Sequence, residues 1–278
     1  MTGRAHNRHT RPVFSRRFAF LDHPGPLAFA HRGGALEGHE NTVAAFERAV
    51  ELGYTYLETD AHATADGVLL AFHDHTLDRV TDHRGKIVEL PYRTVRQARI
   101  GGVHDIPLME DLLGSFPQAR FNIDVKEAST IEPLAAVIRR TNAFDRICLT
   151  SFSDERLVRA RAAMGREVCS ALGPRGVAAL RAAAATSGYG RVLARLARSG
   201  VPCAQVPVGF RGLRVTTRSL VRTAHALGMQ VHVWTINDTL RMDHLLDLGV
   251  DGIMTDNISG LRDVLDRRGL WHPGQLAA

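Results

Sequence analysis

Residues 27–60 read LAFAHRGGALEGHENTVAAFERAVELGYTYLETD, and the order of parts in this stretch decides the fold. LAFAH is a short apolar run that turns polar at its end. TVAAFERAVEL, residues 42–52, places its apolar residues on one face of a helix. YTYLETD is a second β-like run that also ends in polar residues. A strand followed by a helix and then a strand predicts parallel pairing, because only a long crossover returns the chain in the same direction.

The alternation continues to the end of the sequence. Strand-like runs lie at 27–31, 54–60, 68–73, 121–125, 147–152, 167–172, 203–206, 231–235 and 252–255. Helix-like segments lie at 42–52, 108–116, 131–140, 154–164, 177–184, 189–197, 217–227 and 238–248, with a last helix from Leu261. Repetition of this kind predicts a closed eight-fold (β/α) barrel of the TIM type.

These runs number one more than eight. Residues 60–73, DAHATADGVLLAFH, account for the surplus: Ala65-Asp66-Gly67 has turn chemistry and leaves no room for a crossover helix. The segment predicts a hairpin off the second barrel strand, with His73 opposite Glu58–Asp60. Residues 74–107 lack a clean period and read as a small insertion over the barrel mouth. Residues 174–200 read as helical barrel exterior. A single domain over 25–265 is expected, after a basic extension at 1–24 and before a tail at 266–278.

The chain has 278 residues, 45% hydrophobic and 23% charged, enough apolar matter for a full core. Net charge is +6 and the isoelectric point about 9.8. No Lys/Arg run interleaved with aromatics accompanies this charge, so no nucleic-acid partner is expected. Cys148, Cys169 and Cys203 are odd in number and form no CxxC, which points to buried free thiols and a cytoplasmic setting. No stretch approaches the ~18 apolar residues of a membrane span. Phe14, Phe18 and Phe20 among arginines leave open a weak peripheral contact with an anionic membrane.

Polar residues cluster where strands end, and in a barrel those ends form one face. Glu58 and Asp60, two apart on a strand, point to the same side. Two buried acids repel unless a cation offsets them, and Asp124 at the next strand end can join them. Three carboxylates make a hard oxygen site suited to Ca²⁺ or Mg²⁺; taken singly, each acid is as well explained by a salt bridge. His31 and His73 flank these acids and can serve as general acid or base. Arg32 and Lys126 offer charge to phosphate oxygens. Gly33-Gly34 lets backbone approach an anion. Of the 14 histidines, His6, His9, His23, His83 and His272 read as surface residues, while His62 and His75 stand near the site without a role.

Residues 28–82 resemble the signature of the glycerophosphodiester phosphodiesterase family. The matching pieces are His31-Arg32-Gly33, Glu40-Asn41-Thr42, Glu58-Thr59-Asp60, Asp66-Gly67, His73-Asp74 and Leu77-Asp78-Arg79-Val80-Thr81. Downstream, FNIDVK at 121–126, Thr150-Ser151-Phe152, VWTIN at 233–237 and GIMTD at 252–256 look like its later strands. The resemblance implies a TIM-type barrel of the PLC-like phosphodiesterase superfamily, hydrolysing glycerophosphodiesters to sn-glycerol 3-phosphate and an alcohol. It implies one divalent ion on Glu58, Asp60 and Asp124, an acid/base pair in His31 and His73, and phosphate contacts from Arg32 and Lys126. Glu40 and Asn41 would support the mouth, and Trp234 would line the pocket. One departure stands out: the family's third metal carboxylate is usually Glu, and here it is Asp124. Two alternatives stand beside this reading: a lysophospholipase D, to which only the basic, Phe-bearing N-terminal stretch points, and a barrel that binds a phosphate ligand without turnover.

Overall fold

The computed structural model describes residues 17–36, 38–165, 167–185 and 190–274. Phe14, His6 and His9 lie outside the described residues. The chain begins with a 3-10 turn at Ala19–Leu21, then β1 (Leu27–His31), α1 (Val43–Glu51), β2 (Tyr56–Ala63) and β3 (Leu69–Ala71). There follow α2 (Tyr92–Val95), β4 (Arg99–Ile100), β5 (His104–Asp105), α3 (Met109–Ser115) and β6 (Arg120–Val125). Next come α4 (Ile131–Arg140), β7 (Ile147–Thr150), α5 (Asp154–Ala163), β8 (Cys169–Ser170), α6 (Pro174–Ala185) and α7 (Gly190–Arg198). The remainder is β9 (Cys203–Pro207), β10 (Gly209–Phe210), β11 (Leu213–Arg214), α8 (Arg218–Ala226), β12 (Gln230–Trp234), α9 (Thr239–Leu248), β13 (Gly252–Thr255) and α10 (Ile258–Arg267).

The barrel strands run in the order β8-β7-β6-β2-β1-β13-β12-β9, each parallel to its neighbours. A parallel bridge between Ala171 and Cys203 joins the two ends of that order, and Leu172 N donates to Cys203 O at 2.9 Å. The eight strands therefore form the expected TIM-type barrel.

Local chemistry sets the helices in place. Thr42 caps α1 by accepting from Ala45 N at 3.1 Å, and Ala45, Phe46 and Ala49 then face the core at helical spacing. Ser153, Thr217, Asp238 and Asn257 cap α5, α8, α9 and α10 in the same way. The cap at Asn257 starts the last helix three residues before Leu261, where the apolar pattern placed it.

The surplus run is a hairpin. β3 pairs antiparallel with β2, with Ala61 opposite Ala71, and Phe72 N donates to Asp60 O at 2.9 Å. This places His73 beside the Glu58–Asp60 strand, as the turn chemistry at Asp66-Gly67 predicts. The insertion has a core of its own: Leu70, Phe72, Leu77, Ile87, Val95, Ala98, Ile100 and Ile106 are buried together. That explains its missing period, since short irregular pieces bury their apolar residues on one another.

The barrel floor corrects one expectation. Phe18, Phe20 and Leu21 are buried among Leu27, Phe29, Tyr56 and Met254. Tyr56 Oη donates to Phe20 O at 2.8 Å, and Gln230 Nε2 to Leu21 O at 3.3 Å. Phe18 and Phe20 are thus plugs of the core, and neither ring is exposed as that expectation required. His23 is also half-buried, edge-on to Tyr56 at 5.6 Å and to His272 at 5.8 Å, so neither histidine is a plain surface residue. Cys148, Cys169 and Cys203 are free and buried in this floor. Among the described residues, no helix is long and apolar enough to cross a membrane.

Candidate active site

Glu58, Asp60 and Asp124 stand on neighbouring strands, and Asp60 and Asp124 are paired in register. All three are buried, at 5%, 2% and 5% exposure, which makes their charge costly without a partner. Lys126 supplies one. Its Nζ lies 2.8 Å from Asp60 Oδ1 and 2.8 Å from Asp124 Oδ2. Burial alone would raise Asp60, but Lys126 and Arg32 outweigh it and hold its carboxyl below the usual range. Asp124 is raised, chiefly by burial. Glu58 is pushed up to about 7 by burial and by the charge of Asp60.

The HRGG stretch forms the turn that presents a cation and a backbone amide to these acids. Arg32 adopts φ 52°, and its N–H reaches both Glu58 O at 2.9 Å and Glu58 Oε2 at 3.2 Å. Gly33, at φ 83°, lies so close to α1 that a Cβ would stand 2.8 Å from Ala45 Cβ, so only glycine fits this left-handed position. Arg32 Nη1 donates to both oxygens of Glu40 at 3.3 Å. Its Nε lies 3.3 Å from Asp60 Oδ2 without the alignment of a hydrogen bond, and is buried without a partner. Asn41 accepts from Thr59 Oγ1 at 2.8 Å and donates to Asp60 Oδ2 at 3.2 Å. Glu40 and Asn41 thus brace the arginine and the central carboxylate.

Each expected histidine carries a carboxylate on its Nδ1. His31 Nδ1 is 2.6 Å from Asp256 Oδ1, and its Nε2 is 3.7 Å from Glu58 Oε2. His73 Nδ1 is 2.6 Å from Asp74 Oδ1. Burial works against the charged form of His31, but Glu58 and Asp256 outweigh it and raise the ring; His73 is lowered by burial. Burial also disfavours the Asp74 carboxylate, yet Arg79 and His73 hold it down at about 2. Arg79 donates to Asp74 Oδ2 at 2.5 Å and to Glu40 Oε1 at 2.5 Å, tying the loop after β3 to the loop after β1.

The expected metal set is only partly assembled. Among the described residues, two other three-donor groups have ligand atoms all within 4.8 Å of one another: Cys148–Cys169–Cys203, and His62–His75–Glu127. Lys126 instead bonds to both Asp60 and Asp124, Arg32 lies beside Asp60, and Glu58 meets the Arg32 amide and His31. The chemistry of the acids still fits a hard cation. Asp124 Oδ1 is buried without a hydrogen-bond partner, and burial and the charge of Asp60 raise Glu58. The shorter arm of Asp124 has not removed it from the mouth.

Trp234 ends β12, and its ring partner is Phe152, 5.7 Å away and edge to face. Four residues of the site had been given no role from the sequence: Asp256, Asn237, Asp74 and Arg79. Asn237 Nδ2 donates to Asp256 Oδ2 at 2.9 Å and so orients the carboxylate that holds His31. Their signal was present in the polar ends of GIMTD and VWTIN and in the HD and LxRxT pieces. What it lacked was a partner identified across the barrel.

The pattern defining the Glycerophosphoryl diester phosphodiesterase family matches residues 31–259. The Mycobacterium tuberculosis protein named "Probable glycerophosphodiester phosphodiesterase 2" is 41% identical over 91% of this chain and 95% of its own length. The human protein named "Lysophospholipase D GDPD1" is 27% identical over 85% of each chain. An Oleispira antarctica phosphodiesterase, solved with its product sn-glycerol-3-phosphate, superposes with a TM-score of 0.73 at 24% identity, covering 87% of this chain and 97% of that one. With the barrel, the paired imidazoles and this match over most of its length, the chain belongs to the glycerophosphoryl diester phosphodiesterase family and is an enzyme of that class.

Proposed function

We propose that the enzyme hydrolyses glycerophosphodiesters to sn-glycerol 3-phosphate and an alcohol, with His31 and His73 as the acid/base pair. The observation that carries this reading is the matched bracing of the two rings, each with a carboxylate 2.6 Å from Nδ1. A ring that donates from Nδ1 to a carboxylate keeps Nε2 for proton exchange with substrate, and the carboxylate stabilises the imidazolium formed in turnover. One imidazole takes the proton of the nucleophile, either water or the neighbouring glycerol hydroxyl. The other gives a proton to the departing alcohol oxygen as its bond to phosphorus breaks.

Arg32 and Lys126 support binding of the phosphate, because both cations stand against Asp60 in a largely buried mouth, near enough to His73 to act on its charge. Glu58, Asp60 and Asp124 would hold one divalent ion, Ca²⁺ or Mg²⁺. When bound, that ion supplies positive charge to the non-bridging phosphate oxygens. The free, buried thiols support a cytoplasmic setting.

The deciding experiment is hydrolysis of a panel of glycerophosphodiesters by metal-stripped and metal-restored enzyme. His31→Ala and His73→Ala should each lose about 10²- to 10⁴-fold in rate. Near-normal turnover in either variant would remove that residue from the chemistry.

A second reading, lysophospholipase D activity, is favoured by one feature of the mouth. Phe152 is 69% exposed beside Trp234 and offers an apolar ledge for an acyl chain. Phe18 and Phe20 of the N-terminal stretch offer no such surface, since both are buried. Choline release from lysophosphatidylcholine against glycerophosphocholine separates the two readings.

A further inference from the structure

His62, His75 and Glu127 meet at the mouth from three different segments. His62 is on β2, His75 follows β3, and Glu127 follows β6. His75 Nδ1 is 2.7 Å from Glu127 Oε1, and His62 Nδ1 is 3.7 Å from the same oxygen. The two rings lie 5.2 Å apart at 80°. His62 is 1% exposed, whereas His75 is 67% exposed, so the group is rooted in the core and open to solvent on one side.

The tautomer of His62 follows from its other contact. His62 Nε2 is 3.1 Å from His73 O, and a carbonyl oxygen only accepts. Nε2 therefore carries the proton, and in the neutral ring Nδ1 turns a lone pair toward the Glu127 carboxylate. Two acceptors facing each other are unfavourable, and a cation between them removes the conflict. An imidazole whose second nitrogen is held by a backbone carbonyl is also the usual arrangement of a metal-binding histidine. On Glu127, the second oxygen is 3.5 Å from Ser129 Oγ, which leaves Oε1 for the shared position.

The distances suit a small tetrahedral ion. Zinc–nitrogen and zinc–oxygen bonds of ~2.0–2.2 Å place tetrahedral ligand atoms roughly 3.3 Å apart. The observed 2.7 and 3.7 Å bracket that spacing. Two imidazoles and one carboxylate favour zinc-like transition ions over Ca²⁺ or Mg²⁺, which prefer oxygen alone. His62 lies two residues beyond Asp60 on the same strand, but its ring meets His75 and Glu127, so the three donors share no member with the carboxylate set.

We propose that His62, His75 and Glu127 form a second cation site, selective for Zn²⁺ or a similar transition ion with a water as fourth ligand, that fastens the loop carrying His73 to the end of β6. The site does not depend on the catalytic reading. Through the His62–His73 hydrogen bond, a bound ion would hold the His73 backbone in place.

The test uses the full chain in excess Mg²⁺, with Co²⁺ as a spectroscopic probe and Zn²⁺ as competitor. One Co²⁺ per chain should give the intense visible band of a tetrahedral site, and Zn²⁺ should displace it. His75→Ala and Glu127→Gln should each weaken binding by at least about tenfold, since loss of even an outer partner of a metal ligand costs 10- to 100-fold. Both side chains reach solvent, and circular dichroism will confirm folding of each variant. Asp124→Asn should leave the band intact. Absence of the band in the wild type overturns the proposal. So does a band that survives both His75→Ala and Glu127→Gln, which would place the ion elsewhere, or one lost in Asp124→Asn, which would place it on the carboxylates.

Discussion

His31 and Asp256 are 225 residues apart in sequence, yet Nδ1 of the first lies 2.6 Å from Oδ1 of the second. Barrel closure explains the meeting. β1 pairs in parallel with β13, Ala30 opposite Thr255, so the residues that follow each strand emerge side by side. Asn237 then holds the second carboxylate oxygen, leaving Asp256 one orientation. Asp256→Asn keeps the shape and removes the charge. It should lower kcat by about tenfold or more, part of the ~10²–10⁴ that a positioned acid or base contributes. KM should change little, because the carboxylate acts on His31. Steady-state kinetics on a soluble glycerophosphodiester will show this split, and an unchanged kcat would deny Asp256 its part.

Lys126 is the charge that makes the buried acids tolerable in the absence of an ion. Lys126→Met would leave Asp60 and Asp124 facing each other without the one cation that bonds to both. Removing one partner of a buried ion pair costs about 3–5 kcal/mol. The variant should therefore melt well below the wild type in chelator, and added Ca²⁺ or Mg²⁺ should raise its midpoint more than that of the wild type. Equal responses to the ion would mean that these acids do not hold it.

The local parts of this architecture were legible because each rests on neighbours in sequence. The apolar faces of 42–52 and 238–248 announce helices, which caps at Thr42 and Asp238 start one residue later, and Asp66-Gly67 announces a hairpin through turn geometry. Glu58, Asp60, Asp124, His31 and His73 could be placed at one mouth from strand ends alone. The remaining features depend on residues far apart. β8 is two residues long, shorter than the 167–172 run that marks it, and the barrel closes beside it through one bridge between Ala171 and Cys203, which no local pattern reveals. The position of Lys126 between two acids depends on the register of β2 and β6. The insertion and the floor bury apolar residues without any period to read.

A pH effect on stability follows from a pair outside the site. His225 Nε2 is 2.7 Å from Asp251 Oδ2, and the same oxygen accepts from Val231 N at 2.8 Å. The hydrogen bond to Asp251 outweighs burial and raises His225 above its usual value. A raised folded value means that the native state binds the proton more tightly than the unfolded chain. The pair's contribution is then complete below the unfolded value of about 6.5 and is lost as pH rises through the folded one. The difference in melting midpoint between wild type and His225→Gln should be largest near pH ~5.5 and shrink above neutrality. A difference that grows with pH would reverse the assignment.

Phe20 distinguishes a core plug from a surface anchor. Its side chain is 1% exposed, edge-on to Tyr56 at 5.3 Å and stacked with Phe29 at 6.4 Å. Deleting a ring from such a position removes its transfer energy and opens a cavity that rigid strands cannot fill. Phe20→Ala should cost about 3–5 kcal/mol in denaturant unfolding. Binding to anionic vesicles, measured by co-sedimentation of the folded variant, should match the wild type, because the ring never faced solvent. Loss of vesicle binding with unchanged stability would mean that Phe20 leaves the floor and that the barrel closes without it.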